Sequence, residues 1–333
     1  MNFVKKVLAL FLRFGISIFL LTLLFKFNKI EINELVVDIK SADKLLLAFG
    51  FLAFFLVHFL GFLRWLMLLR AAGIHIPVKR LIISFSGGAF FSIFLPSTIG
   101  GDLVRSADLA GHTKKTKEVI ATVFMDRLSG YIGLVIVVII ALIFGRGLVM
   151  DRVVITSVVA IIGILLFIVF VLFNVPVFNK ISRFLSTPKA GKIKEMIRGL
   201  HYEIHIFRNR RKMVSYNILL SVLVQFVGPV SAYFIALSLG VRIDFVYFLI
   251  FLPIIGAITL LPIAIGGLGL RESLFVVYFA KAQVSEQLAV AMSLLSFSFI
   301  VFYGAMGGLI YVLAVHYRRV QCDASPKIHK SHT

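Results

Sequence analysis

Acidic residues and cysteine are scarce in this chain. Its 333 residues hold 15 Asp and Glu against 35 Lys and Arg, with one cysteine and one tryptophan. The lone Cys322, in the polar tail, excludes an internal disulfide and a cysteine metal cage. No cluster of carboxylates is present that would hold Mg²⁺ and a diphosphate. Walker A, His-Glu-x-x-His and Gly-x-Ser-x-Gly patterns are missing, which argues against enzymes built on them. The alternation expected of a membrane β-barrel is missing too.

What the chain has is hydrocarbon. Hydrophobic residues make up 60% of it, charged residues only 15%, and its mean hydropathy is +1.03. Several runs exceed ~18 apolar residues, enough to cross ~30 Å of bilayer. The fold class is therefore all-α, a polytopic membrane protein. A net charge of +20 would point to nucleic acid in a soluble chain. Here the basic residues fill the gaps between apolar runs, where they orient helices and meet anionic lipid, so no nucleic-acid partner is expected. Lys5, Lys6 and Arg13 accompany a stretch like a signal peptide, but no small-x-small cleavage site follows, and it reads as a retained first span.

Six runs read as full spans: Val7–Phe27, Leu45–Leu69, Val119–Phe144, Val153–Phe173, Val214–Leu239 and Gln287–His316. Leu81–Ala110 and Phe245–Ala282 are irregular. Charge decides whether they cross. Lys5 and Lys6 start inside, the acid-rich loop around Glu31, Glu34, Asp38 and Asp43 suits the outside, and Arg70, Lys79 and Arg80 mark a return. If Leu81–Ala110 crossed, Lys114, Lys115 and Lys117 would land outside, so it reads as a re-entrant hairpin. A second hairpin from the opposite face keeps Arg318 and Arg319 inside, although three short spans would do so as well.

The expected architecture is six full spans plus two re-entrant helical hairpins in one transmembrane domain, residues 1–320. Its halves, about 1–150 and 151–320, are inverted repeats, and a polar tail covers 321–333. The expected location is the inner cell membrane, with both termini cytoplasmic. The basic loop 174–213, with ten Lys and Arg, is expected on the cytoplasmic side, where it either grips anionic headgroups or only sets topology. His201 and His205 have metal-ligand spacing but no third ligand, and neither metal nor cofactor is expected.

A repeat carries the functional argument. Leu95-Pro96-Ser97-Thr98-Ile99-Gly100-Gly101-Asp102-Leu103-Val104-Arg105 returns as Leu261-Pro262-Ile263-Ala264-Ile265-Gly266-Gly267-Leu268-Gly269-Leu270-Arg271, with six identities in eleven positions. Gly73-Ile74-His75-Ile76 is echoed likewise by Gly240-Val241-Arg242-Ile243. Helix breaks at matching places in two halves point to a transporter's binding site. Gly100, Gly101, Gly266 and Gly267 would unwind backbone in the interior, and Asp102 is placed to cap the restarting helix. Arg105 and Arg271 follow a turn later. They either bind a lipid phosphate or pair with Asp102 and Glu272 for structure. Asp126 and Arg127 lie deep in the third span, where Arg127 either joins this polar centre or is interfacial. Arg64 could face the same cavity, with Arg70 an anchor and Trp65 an interfacial ring. Gln225, Gly228 and Pro229 read as a packing kink in the fifth span with a polar contact to a neighbouring helix.

At Gly61–Arg70 (GFLRWLMLLR), Phe90–Arg105 (FFSIFLPSTIGGDLVR), Asp126-Arg127 and Leu261–Glu272 (LPIAIGGLGLRE), the chain resembles the lysylphosphatidylglycerol synthase transmembrane-region family of flippase-like proteins. The resemblance covers nearly the whole chain. It implies translocation, in a bacterial or archaeal membrane, of an anionic or aminoacylated phospholipid or a polyprenyl-phosphate lipid. In the best-known relatives a separate soluble domain attaches the amino acid, and no room for one is expected before Thr333. Enzymatic activity is accordingly not favoured. Two alternatives stay open: a membrane-embedded headgroup transferase using Asp102, Asp126 or Glu272, and a membrane anchor for a lipid-modifying enzyme.

Overall fold

The computed structural model describes residues 2–27, 30–95, 98–145, 151–173, 211–259 and 267–324. Among these the chain is helical, with no strand. In order the helices are α1 (Asn2–Phe27), α2 (Ile32–Ser41), α3 (Lys44–Ala71), α4 (Val78–Phe94), α5 (Thr98–Thr113), α6 (Thr116–Phe144), α7 (Arg152–Phe173), α8 (Arg211–Ser238), α9 (Phe245–Thr259), α10 (Leu270–Phe279) and α11 (Glu286–Ala324). Four are long and apolar enough to cross a membrane: α3, α6, α8 and α11. Shorter apolar helices run over Gly15–Phe27, Arg152–Ile164 and Phe245–Thr259. The basic stretch 174–210, with His201 and His205, lies outside the described residues.

Polarity is distributed inside out. Leu52, Phe59, Ile140, Ile143, Leu219, Leu223, Leu309 and Leu313 are exposed, whereas Arg64, Arg80, Arg105, Asp126 and Glu272 are buried. Apolar surface of this extent needs hydrocarbon around it. Buried charges need partners, because lipid supplies none.

Local sequence explains where the helices begin and end. Asp43 caps α3 by accepting from Leu45 N (2.8 Å) and Leu46 N (3.1 Å). Helix α3 closes on Gly73, where Ile74 N donates to Leu69 O (2.9 Å) and Gly73 N to Arg70 O (3.1 Å). Helix α8 closes in the same manner on Gly240, with Val241 N to Ala236 O (2.9 Å) and Gly240 N to Leu237 O (3.0 Å). Both glycines are left-handed, at φ +73° and +78°, as this Schellman ending requires. The echoed Gly-x-x-Ile segments are thus two copies of one chain reversal. The interval from Gly73 to Gly240 also equals that from Lys44 to Arg211 and from Val78 to Phe245, the starts of paired helices.

Helices α3 and α8 pack antiparallel. Ser231 donates to Gly50 O (2.7 Å) near one end, and Asn217 to Arg64 O (3.2 Å) near the other. Helix α4 packs on α11 through small residues: a Cβ on Gly307 would stand 2.7 Å from Ser86 O, and one on Gly87 2.6 Å from the Tyr311 ring.

Three local expectations need correction. The acid-rich loop is largely helix α2, whose Asp38 accepts from Gln287 of α11 (2.6 Å). The irregularity expected across Leu81–Ala110 is confined to the join of α4 and α5, since Gly87 and Gly88 lie within continuous helix, as do Gln225, Gly228 and Pro229 of α8. Gly87 and Gly88 serve packing, against Tyr311 and against Gly101 and Arg105, whereas Gly228 has nothing within 4 Å. The expected contact does form, with Gln225 donating to Gly130 O at 3.1 Å. Trp65 is no interfacial ring but fully buried, donating to Thr122 Oγ1 (3.2 Å).

Candidate functional site

The first Leu-Pro motif joins α4 to α5. Helix α4 stops at Leu95, because the residue before a proline is driven out of helical geometry. Helix α5 begins at Thr98, so Gly100, Gly101 and Asp102 are all helical. Asp102 is therefore not the expected cap but a side chain inside the helix. The glycines permit contact instead of unwinding. A Cβ on Gly101 would collide with Ser92 Oγ and Gly88 O, and one on Gly100 with Leu95. One on Gly88 would stand 3.0 Å from Gly101 O and 3.1 Å from Arg105 Cβ. The two arms press together at these glycines and present Arg105 to the interior.

Five side chains from three helices form an alternating ladder there. Arg64 of α3 grips Asp126 of α6 through Nε to Oδ1 (3.0 Å), Nη2 to Oδ1 (2.5 Å) and Nη2 to the Asp126 carbonyl (2.6 Å). Arg105 of α5 reaches the other Asp126 oxygen (3.1 Å) and Asp102 Oδ1 (2.9 Å). Arg127 closes the row on Asp102 Oδ2 (2.5 Å). The order is Arg64, Asp126, Arg105, Asp102, Arg127. Arg64 and Arg105 are 8% and 7% exposed in their side chains, whereas Arg127 is 34% exposed, so the ladder opens at its Arg127 end.

The surroundings fix this geometry. The Arg105 guanidinium lies 4.5 Å from the Trp65 ring centre and 5.5 Å from that of Phe85. Asn217 of α8 holds the Arg64 carbonyl, and a Cβ on Gly130 would stand 3.4 Å from Arg64 Nη2. Arg105 Nε and Asn217 Oδ1 are buried and have no hydrogen-bond partner. The row holds three arginines against two aspartates. A buried donor left unused at Arg105 equips it to take an anion.

A further pair escaped the sequence reading. Arg80 Nη2 bonds Asp108 Oδ1 (2.7 Å), and Ser84 donates to Asp108 Oδ2 (2.5 Å), tying the start of α4 to the end of α5. The signal was there in the three-residue spacing of Asp102, Arg105 and Asp108, which lines them along one side of a helix.

In the second motif, residues 260–266 lie outside the described residues, Gly266 among them. Gly267 and Gly269 are left-handed, at φ +74° and +83°. Gly269 precedes α10, and Glu272 reaches back to its N–H (2.6 Å). Arg271 bonds Glu272 Oε1 (2.5 Å) and Ser293 Oγ (2.9 Å), and Ser293 donates to Glu272 Oε1 (3.0 Å). The Arg271 guanidinium rests 4.7 Å from the Phe297 ring centre. Ser293 lies 22 residues after Arg271, and Asp126 lies 21 after Arg105. Here one arginine meets one glutamate, and the charge is balanced.

The structure thus joins Arg64, Asp102, Arg105, Asp126 and Arg127 in one row and links Arg271 to Glu272 in another. A cleft of about 450 Å³ beside α7, lined by Arg152, Thr156 and Ser157, shares no residue with either. Among the described residues no group of three or more His, Cys, Asp or Glu could hold a metal ion.

Comparison with known proteins agrees with the inside-out surface. The UPF0104 membrane protein PH1989 of Pyrococcus horikoshii is 25% identical over 256 residues, 70% of this chain and 76% of that one. Residues 10–308, spanning α1 to most of α11 and containing both rows, match the lysylphosphatidylglycerol synthase TM region. The chain belongs to that family of integral membrane proteins.

Proposed function

We propose that this protein translocates an anionic lipid between leaflets, with the headgroup phosphate received by the row of Arg64, Arg105 and Arg127. The observation that carries this reading is a row of arginines inside an apolar helical body, with the buried Arg105 Nε left without a hydrogen-bond partner. Buried arginines such as Arg64 and Arg105 are costly in hydrocarbon and are retained where they have work to do. Gly100 and Gly101 bring the arms together, Asp102 and Asp126 hold the arginines ready, and Gly267, Arg271 and Glu272 form the equivalent turn of the other half. The lipid is an anionic or aminoacylated phospholipid or a polyprenyl phosphate, whose acyl chains stay in the bilayer.

The topology that goes with this function is six spans plus two re-entrant hairpins in inverted halves of a single domain, residues 1–320. The twin Schellman endings, equal intervals and antiparallel α3–α8 contact support it. Helices α4 and α5, of 17 and 16 residues, are each roughly 25 Å long, short of a ~30 Å span, which favours re-entry. The excess of basic residues in 174–213 favours cytoplasmic termini in the inner membrane. Rocking of one half against the other would then expose the row to each leaflet in turn. The transferase alternative gains no support, since Asp102, Asp126 and Glu272 are each engaged by arginine.

Reconstitution tests the function. Proteoliposomes carrying labelled phosphatidylglycerol in one leaflet should show protein-dependent movement to the other, lost in Arg105→Ala and weakened in Arg105→Lys. Movement unchanged in Arg105→Ala, in protein that elutes as the wild type does, would refute the site.

A further inference from the structure

We infer that His58 is a proton-binding site within the bilayer, through which a proton gradient drives the translocation proposed above. That rests on the translocation reading and adds its energy source. His58 lies midway along α3 (Lys44–Ala71), ~20 Å from either end, and so at bilayer depth. An ionisable side chain there is expensive and is kept for function. Phenylalanine, used 34 times in this chain, would fill the same space without a polar nitrogen. The Nδ1 atom of His58 stands 3.0 Å from the Phe54 carbonyl oxygen, which can only accept. Nδ1 therefore carries the proton, and the lone pair is on Nε2. This is the one hydrogen bond of His58 among the described residues, so Nε2 is left ready to take a proton. The imidazole centre is 4.0 Å from that of Tyr303 and 4.4 Å from that of Phe54, within reach for both π systems to attract a cation.

The place matters as much as the group. Phe51 and Phe54 of α3 meet Phe299, Phe302 and Tyr303 of α11, with ring centres 5.3–6.1 Å apart. These two helices belong to different halves of the proposed inverted arrangement, so His58 stands on a seam that rocking would open. Protonation turns Nε2 from an acceptor into a donor and adds a charge. Hydrocarbon supplies no acceptor for it. The charged form therefore favours the parted seam, where water reaches the ring, and the neutral form favours the closed one. The proton enters from one aqueous phase, rests on the Nε2 lone pair and leaves to the other; no other bond changes. Tyr303 is the titratable group that faces His58 from α11. Arg64, further along α3, is turned to Asp126 of α6. Helices α4 and α8 carry charge only in their first turns, at Lys79, Arg80, Arg211 and Lys212, and α11 only near its two ends.

Two measurements test the site. Purified full-length protein in nanodiscs, its histidine rings isotope-labelled, should be titrated by NMR from about pH 4 to 9. The signal missing from His58→Gln identifies His58, and its Nε2 resonance should shift as that nitrogen gains a proton. Proteoliposomes carrying labelled phosphatidylglycerol, with the membrane potential clamped at zero, should then be given a gradient of one pH unit. The label should accumulate in one leaflet by up to about tenfold, the limit for one proton moved per lipid, and reversing the gradient should reverse it. His58→Gln, in protein that elutes as the wild type does, should lose this accumulation. A His58 signal that does not titrate would overturn the inference. So would accumulation undiminished in His58→Gln, or wild-type movement that ignores the gradient. A titrating His58 in protein that moves no lipid would leave the proton site standing and refute translocation instead.

Discussion

Asparagine at position 126 would remove one negative charge and keep the shape. Asp126 accepts from Arg64 Nε and Nη2 at 3.0 and 2.5 Å and from Arg105 at 3.1 Å, so two arginines depend on it. Both are buried, at 6% exposure each. Breaking a buried pair by removing one partner costs about 3–5 kcal/mol. Asn keeps one acceptor oxygen, which places this change near the lower end, and about 3 kcal/mol lowers Tm by roughly 4 °C in a chain of this size. The assay is thermal unfolding in detergent followed by size-exclusion chromatography, with Arg64→Gln and the double variant completing a cycle. Because Arg64 and Asp126 share their bonds, the double variant should be less damaged than the two single losses combined. A loss below about 1 kcal/mol for Asp126→Asn would refute the reasoning, since it is what a solvated surface pair gives.

Other consequences follow from single positions. Gly101→Ala should destabilise by about 1–3 kcal/mol, because its methyl meets Ser92 and Gly88, whereas Gly111→Ala on the same helix meets nothing and should be neutral or stabilising. Thermal melts of the pair decide this. Gly73→Ala and Gly240→Ala should each cost about 1–2 kcal/mol and by similar amounts, since both force a methyl into a left-handed helix end; unequal losses would count against equivalent turns. Outside the helices, the hydrogen bond from Lys281 to Asp151, helped by Val153 N–H, holds that carboxyl below its ordinary value of 3.8. A carboxylate lowered in the folded state stabilises above its unfolded pKa and loses this as pH falls through the folded one. Melting curves of wild type and Asp151→Asn should therefore run parallel at about pH 5–7 and converge below about pH 4.

Relations along one helix were legible in the sequence, and relations between helices were not. The apolar runs fixed the long helices to within a few residues, because hydrocarbon length is a local property. Arg105 in the Gly-Gly-Arg repeat and the pair Asp126-Arg127 stood out in the sequence, since charge is conspicuous among apolar neighbours. That Arg64 is the partner of Asp126, 62 residues away, depends on how α3 and α6 cross, which no spacing encodes. Trp65 was misplaced for the same reason: its ring is drawn inward by Thr122 and by the Arg105 cation. Asp102 resembled a cap because a glycine pair suggests unwinding. In fact α5 starts earlier, and the glycines serve a close helix crossing. Ser293 carried no signal of its own and gained meaning only from its contact with Arg271, 22 residues away.

Photo-crosslinking tests most directly whether a lipid headgroup reaches the arginine row. A phosphatidylglycerol analogue with its reactive group in the headgroup should label residues of α5 and α6 near Arg105 and Arg127, be competed by unlabelled phosphatidylglycerol, and lose that labelling in Arg105→Ala. Labelling confined to the lipid-facing side chains of α3, α8 and α11, and indifferent to Arg105, would contradict it.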